Sequence, residues 1–345
     1  MYFYTMTKNL LTTILFCTVF FFGTKPNLAQ NKPITKPHST LKQPPYLKAG
    51  DTIAIVAPSG ILKNRMGEIQ QAQALLKSWG LHSVVGKHVF SQAHHFAGTD
   101  DERCEDFQQA LDDPKIKAIW CARGGYGSVR ILDKLDFTKF KQQPKWIIGY
   151  SDITAIHNQI HNEGVESLHA LMCVSLTKNL SEIESSVSTF KKALFGKPLS
   201  YSLKGSKYNR TGKATGQLVG GNLTMLHTML GSKTSINTSG KILFIEEIGE
   251  YKYHIDRMLQ SLKRAGYFDN CQGVIVGDMT KLRKNTTLWG SSIEQLILDA
   301  LADYDFPIAF NMPAGHEKDN RALILGRTVE LNVNIEQSSI IFKPL

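Results

Sequence analysis

Apolar residues along the chain keep two different rhythms. Short unbroken runs, as in DTIAIVAPSG (51–60), KAIWCA (117–122) and WIIG (146–149), have the length and β-branched content of buried strands. Between them, apolar positions recur every three or four residues, the spacing of one face of a helix. Asn64 to Trp79 places Ile69, Ala72, Leu75 and Leu76 together, and GTDDERCEDFQQALDD (98–113) turns Phe107 and Leu111 inward behind a cap at Thr99 or Asp100. LHSVVGKHV (81–89) adds a strand and SVRILDKL (128–135) a helix. This alternation through residues 47–173 predicts an α/β domain built on a parallel sheet covered on both faces.

The rhythm fades from 174 to 211, a polar connector with room for one helix, and resumes in a second unit over 212–345. There KILFIEE (241–247) and GVIVGD (273–278) read as strands, and the segment from His254 as a helix presenting Ile255, Met258, Leu259 and Leu262. SSIEQLILDALADY (291–304) reads as a helix opened by a capping box of Ser291 and Glu294. FPIAFNMPAGH (306–316) is a strand running into a loop, and RALILG, TVELNV and SIIF read as closing antiparallel strands.

Ligands of parallel sheets bind beyond the carboxyl ends of the strands, and the APSG, RGGYG and GYSD stretches all fall there. In KWIIGYSDITAIHNQI (145–160) a strand meets a helix at Ser151, a corner that can hold a hydroxyl over the sheet edge. A helix N-cap is the plainer reading of the same serine. A nucleophilic serine needs a base and an orienting acid. Glu246, ending a strand beside Glu247, and His316, ending PAGH, complete such a set in the order serine, acid, histidine. Singly, each has a structural alternative: a cap for the helix near Tyr253, or an ordinary loop histidine. The RGGYG turn could cradle phosphate, or could lend an amide to an oxyanion hole together with the amide of Asp152; each such donor is worth about 3 kcal/mol in a transition state. Spacing alone leaves that choice open.

Composition narrows the classes. The 345 residues are 42% hydrophobic and 20% charged, as in a globular protein, with a net charge of +10. Lysine and arginine are scattered without basic runs or interleaved aromatics, so nucleic acid is not an expected partner. Residues 1–29 carry Lys8, an apolar run from Leu10 to Phe22, no acid, and Ala29, which together resemble a secretory signal peptide. The run is short for a full span, so an uncleaved anchor is the lesser expectation. Residues 30–46 have linker composition. Beyond them Cys104, Cys121, Cys173 and Cys271 form no close pair of the zinc or dithiol kind, and their pairing is not legible.

Taken together, AIVAPSG, AGTDDER with DFQQAL, KAIWCARGGYG, WIIGYSDIT, GQLVGGNLTML, LFIEEIGE with YHIDRML, and PAGH resemble the LD-carboxypeptidase family, the murein tetrapeptide carboxypeptidases, in order from Leu47 to about Leu325. The resemblance implies an N-terminal Rossmann-like domain and a smaller C-terminal α/β domain with the site between them, commonly in a homodimer. It implies acyl transfer without metal or cofactor, with Ser151 as nucleophile, Glu246 and His316 as its partners, and amides of Asp152 and Gly125 as oxyanion donors. The neighbouring Glu247 leaves the acid open by one residue, and Gly124 is the other candidate in the turn. The implied substrate is a peptidoglycan-derived tetrapeptide, cut between the L-centre of its diamino acid and the terminal D-alanine. Arg123 is a candidate for the terminal carboxylate, or else a loop arginine binding carbonyls. Two other functions fit the same set: a microcin-immunity peptidase hydrolysing a peptide–nucleotide conjugate, with Trp289 as platform for the base, and a wall-peptide binding protein without turnover. The apparent export signal departs from the cytoplasmic recycling role of such enzymes. It predicts a periplasmic protein whose only membrane contact is an uncleaved N-terminus; cytoplasmic and inner-membrane-anchored forms are the alternatives.

Overall fold

Trp146, Ile147, Ile148 and Gly149 are all buried, and so are the inner residues of two neighbouring runs, because the sheet they form is covered on both faces. The computed structural model describes residues 41–344. In chain order its first part contains β1 (Thr52–Val56), α1 (Met66–Ser78), β2 (His82–Val85), α2 (Asp100–Asp112), β3 (Ile116–Cys121), α3 (Ser128–Leu132), α4 (Thr138–Gln142), β4 (Trp146–Gly149), α5 (Thr154–Asn162) and β5 (Ser167–His169). The second contains α6 (Glu184–Leu194), β6 (Ser200–Lys204), β7 (Gly212–Asn222), α7 (Leu223–Thr228), β8 (Lys241–Ile248), α8 (Lys252–Arg264), β9 (Gly273–Thr280), α9 (Ile293–Ala300), β10 (Ile308–Ala309), β11 (Leu323–Leu325), β12 (Thr328–Val333) and β13 (Gln337–Phe342).

Two sheets result. The first runs β11-β5-β4-β3-β1-β2, parallel except for β11, and the second runs β10-β9-β8-β7-β12-β13-β6, parallel from β10 to β7 and antiparallel beyond. One hydrophobic core joins them: Trp120 and Leu168 of the first sheet belong to the same cluster as Phe244, Leu331 and Ile340 of the second. The fold is thus mixed α/β, with a parallel N-terminal sheet.

Local chemistry sets the element ends. Thr99 caps α2, its hydroxyl accepting from the Glu102 amide at 3.2 Å while the Glu102 carboxylate accepts from the Thr99 amide at 2.7 Å. Four expectations need correction. The cap of α9 is Ser292, accepting from the Gln295 amide at 3.1 Å, one residue after the Ser291 expected, a phase that buries Leu296, Ile297 and Ala300. The RALILG strand, β11, does not close the second sheet; it pairs antiparallel with β5 at the edge of the first. The connector holds the helix expected and also β6, a short edge strand whose alternating burial supplies the far edge of the second sheet. The last linker residues are docked: Tyr46 stacks on Trp146 at 6.2 Å, and Gln43 accepts from Arg327, whose guanidinium also grips the buried Glu166. The signal expected over 1–29 lies outside the described residues. All four later cysteines are free thiols.

Candidate active site

Ser151 opens a single 3₁₀ turn, Ser151–Ile153, that carries the chain from β4 into α5. Its φ is +63°, the left-handed region where a residue with a β-carbon costs on the order of 1–3 kcal/mol. The surroundings hold it there. The side chain of Asp152 accepts from Ser59 Oγ at 2.5 Å and from the Ser128 amide at 2.8 Å, tying the turn to the loop after β1 and to the start of α3. His157, one turn into α5, bridges the Gly149 carbonyl and Ser167 Oγ, both at 2.9 Å. Burial pushes its pKa down to about 4, so it packs as a neutral imidazole. Gly124 lies across from the turn: a β-carbon there would stand 3.2 Å from that of Ser151.

Seen from Ser151, the next group is His316. Its Nε2 lies 3.0 Å from Ser151 Oγ, and its Nδ1 lies 2.7 Å from Glu246 Oε2. The alcohol and the imidazole are 165 residues apart in the chain. Glu246 is fully buried at the carboxyl end of β8, and its second oxygen has no partner among the described residues. Burial disfavours the charged imidazole, but the hydrogen bond and charge of Glu246, with the charges of Glu247 and Asp278, outweigh it and raise the His316 pKa above its ordinary value. Tyr150 packs edge-on against the ring at 5.0 Å.

The two neighbouring acids, Glu246 and Glu247, differ in where their side chains go. Glu247 Oε1 accepts from Asn222 Nδ2 at 3.1 Å and the Ile248 amide at 2.8 Å, and Oε2 from the amide and hydroxyl of Thr224. Its capacity is spent at the start of α7, whereas Glu246 faces the imidazole. Successive residues of a strand point to opposite faces, so KILFIEE carried this signal.

The remaining expected residues fall as follows. The amides of Asp152 and Gly125 meet no backbone acceptor among the described residues, and Gly125 has a φ of +101°. Arg123 is half-buried and donates to the Ile61 carbonyl, the loop-bonding role. Trp289 lies partly exposed beside the exposed Leu288 in the loop before α9. No group of three or more histidine, cysteine or acidic side chains among the described residues could hold a metal ion.

Sequence reasoning missed Asp278, at the end of β9. Its Oδ2 accepts from the Glu317 amide at 2.9 Å and its own amide donates to the Ala314 carbonyl at 3.0 Å, so it clamps the loop that carries His316. Burial, reinforced by Glu246 and Glu317 and opposed by the Glu317 amide bond and by His316, raises its pKa to about 6. An acid directly after VIVG, in the place that Glu246 holds after LFI, was the available signal.

A hydroxyl, an imidazole and a buried carboxylate in series form an arrangement that can carry serine-dependent acyl transfer. The chain matches the family described as the LD-carboxypeptidase N-terminal domain over residues 53–170 and the LD-carboxypeptidase C-terminal domain over 215–331. It is 34% identical over 306 residues to a probable murein peptide carboxypeptidase of Bacillus subtilis, covering 87% of this chain and 94% of that one. The chain belongs to the LD-carboxypeptidase family. The crystal structure of muramoyltetrapeptide carboxypeptidase from Oxalobacter formigenes matches with a TM-score of 0.76 and 26% identity, over 85% of this chain and 99% of that one. The microcin C7 self immunity protein MccF in its wild-type apo state shares the fold, at a TM-score of 0.77 and 22% identity over 87% and 98% of the two chains.

Proposed function

We propose that this protein is a serine carboxypeptidase that releases the terminal D-alanine from murein tetrapeptide by cleaving an L,D peptide bond. The observation that carries the reading is the Ser151–His316–Glu246 series, at 3.0 and 2.7 Å, in a chain whose relatives are named for murein peptides. Glu246 holds the tautomer with hydrogen on Nδ1, leaving the Nε2 lone pair for the serine proton. Ser151 Oγ attacks the carbonyl carbon as His316 takes that proton, and the amides of Asp152 and Gly125 receive the developing oxyanion. His316 returns the proton to the departing nitrogen as the carbon–nitrogen bond breaks. Water, deprotonated by the same imidazole, then frees the acyl group from Ser151. Arg123, with guanidinium capacity left beyond Ile61, is a candidate contact for a substrate carboxylate.

The export signal read in residues 1–29 supports action on wall peptides outside the inner membrane, and the family resemblance supports a homodimer. Purified protein incubated with disaccharide tetrapeptide is expected to yield tripeptide and D-alanine, and Ser151→Ala to reduce the rate at least 1,000-fold. Absent release by the wild type, or undiminished release by Ser151→Ala, rejects the mechanism. Release from a peptide–nucleotide conjugate in preference to the tetrapeptide would favour the immunity-type reading, for which Trp289 is the available aromatic.

A further inference from the structure

The two amides proposed above as oxyanion donors lie on separate elements, and the one in the RGGYG turn has its direction set from outside that turn. Gly125 N–H shares a peptide plane with the Gly124 carbonyl, and a trans peptide points the two groups opposite ways. The carbonyl accepts from the Gly60 amide at 3.0 Å. Gly125 N–H therefore faces away from the APSG loop, to a side where no backbone acceptor among the described residues meets it. The approach of the two stretches is close: a β-carbon on Gly60 would stand 2.9 Å from the Gly124 oxygen. Gly60 does not adopt the left-handed φ that favours glycine, so proximity alone asks for glycine here.

Buried charge holds the two stretches at this distance. Arg103, one turn into α2, is 1% exposed. Its Nη1 donates to the Pro58 carbonyl at 2.6 Å and to the Gly127 carbonyl at 2.8 Å, and its Nη2 to Asp100. Gly127 admits it, since a β-carbon there would lie 2.7 Å from Nη1. The Asp152 carboxylate takes the next residue of each stretch, Ser59 through its hydroxyl and Ser128 through its amide. Pro58–Ser59 and Gly127–Ser128 are thus each held by a cation at the first residue and an anion at the second. Behind APSG, the Ala97 amide donates to the Ser59 carbonyl and the Ile61 amide to the His95 carbonyl, both at 3.0 Å. An apolar side chain would fill the space of Arg103 without the cost of burying a guanidinium, so packing is a poor account of it. We infer that Arg103 is a positioning residue: with the Asp152 carboxylate it registers the APSG loop against the RGGYG turn, and Gly60 then aims the Gly125 amide at the developing oxyanion. The inference rests on the peptidase reading above and deepens it. A donor held in this way needs no reorganisation as charge develops on the substrate.

Turnover of disaccharide tetrapeptide by three variants tests it, with melting temperature measured alongside. The methyl of Gly60→Ala presses on the Gly124 oxygen and turns the peptide plane, so kcat is expected to fall about 100-fold, as when one oxyanion donor is lost. KM should stay within about threefold of wild type, and the acid limb of the pH profile, which reports His316, should not move. Arg103→Met keeps the apolar stem without a donor; it should lose kcat by about the same factor and melt at a lower temperature. Arg103→Lys restores the charge and one carbonyl contact, and should regain roughly tenfold of that loss in kcat. It carries the test alone, as a kcat about tenfold below wild type, should the other two not fold. Folded variants with wild-type kcat, or with losses confined to KM or to melting temperature, overturn the inference and leave the proposed function standing. A wild type inert toward the tetrapeptide overturns both.

Discussion

The turn that carries Ser151 and the loop that carries His316 meet at one hydrogen bond, yet they are built by different means. The turn is shaped close to home. A strand end, one left-handed residue and the start of α5 aim the hydroxyl, and Gly124 and His157 pack around the backbone. The loop has no such regular frame. Side chains distant in sequence hold it: Asp278 binds the Glu317 amide, Asn320 binds the Gly315 amide, and Glu246 takes the imidazole itself. The serine is thus positioned by conformation and the imidazole by carboxylate and amide contacts. Substitutions on the base side should act through charge and tautomer, and those on the serine side through stability.

The largest effect expected on this view comes from Glu246→Gln. The glutamine fits the same space, but it can present an N–H to Nδ1 and so favour the wrong tautomer. The loss expected in kcat is on the order of 1,000-fold, with KM nearly unchanged and melting temperature little altered. A loss under tenfold would show that the imidazole is oriented by its loop alone, and the contrast between the two sides would fail.

This difference also explains what was legible. KWIIGYSDITAIHNQI displayed its strand, corner and helix because each depends on neighbours within a few residues, and Ile153, Ile156 and Ile160 are all buried as their spacing required. Glu246 and His316 were visible as residues at strand ends, although their approach across 70 positions needed the family resemblance to single them out. Asp278 and Asn320 stayed hidden because an acid or an amide after a strand is commonplace, and nothing local marks its partner. The same holds for β11, whose three residues sit in a run of closing strands and yet pair with β5 of the other sheet. Pairing partners of short strands are set by long-range packing that periodicity does not carry.

Asp278→Asn gives the next effect. An amide can still accept from the Glu317 amide, so the loop should remain in place, but the negative charge facing the imidazole is gone. His316 is then surrounded by Glu246 and Glu247 on β8, Tyr150 at the turn, the buried neutral His169 and Glu317 on its own loop. A base must be neutral to accept a proton, so activity falls as pH drops through the His316 pKa, which the wild type holds above the ordinary value. Removing Asp278 lowers that pKa and moves the acid limb of kcat/KM to lower pH, with a loss of about tenfold or less at the optimum. Asp278→Ala, which also frees the Glu317 amide, should be several times worse. An unshifted acid limb in Asp278→Asn would reduce this residue to a brace.

The smallest effect on rate belongs to the acid next door. Glu247 sits on the serine side of the comparison: it holds Asn222 and Thr224, and the Asn222 amide in turn donates to Thr154 Oγ1, at 3.0 Å, in the first turn of α5. Burial, opposed by its hydrogen bonds and reinforced by the charge of Glu246, raises its carboxyl pKa. An acid whose folded pKa is raised costs stability where it is ionised, so Glu247→Gln relieves that cost while one accepting oxygen is replaced by a donor facing the Thr224 amide. The two changes oppose each other, and the net expectation is a loss of about 1 kcal/mol in unfolding free energy with kcat within about twofold of wild type. Chemical denaturation alongside turnover reads both. A drop in kcat comparable to that of Glu246→Gln would mean that the relay draws on both carboxylates, and the division between conformation and charge would have to be redrawn.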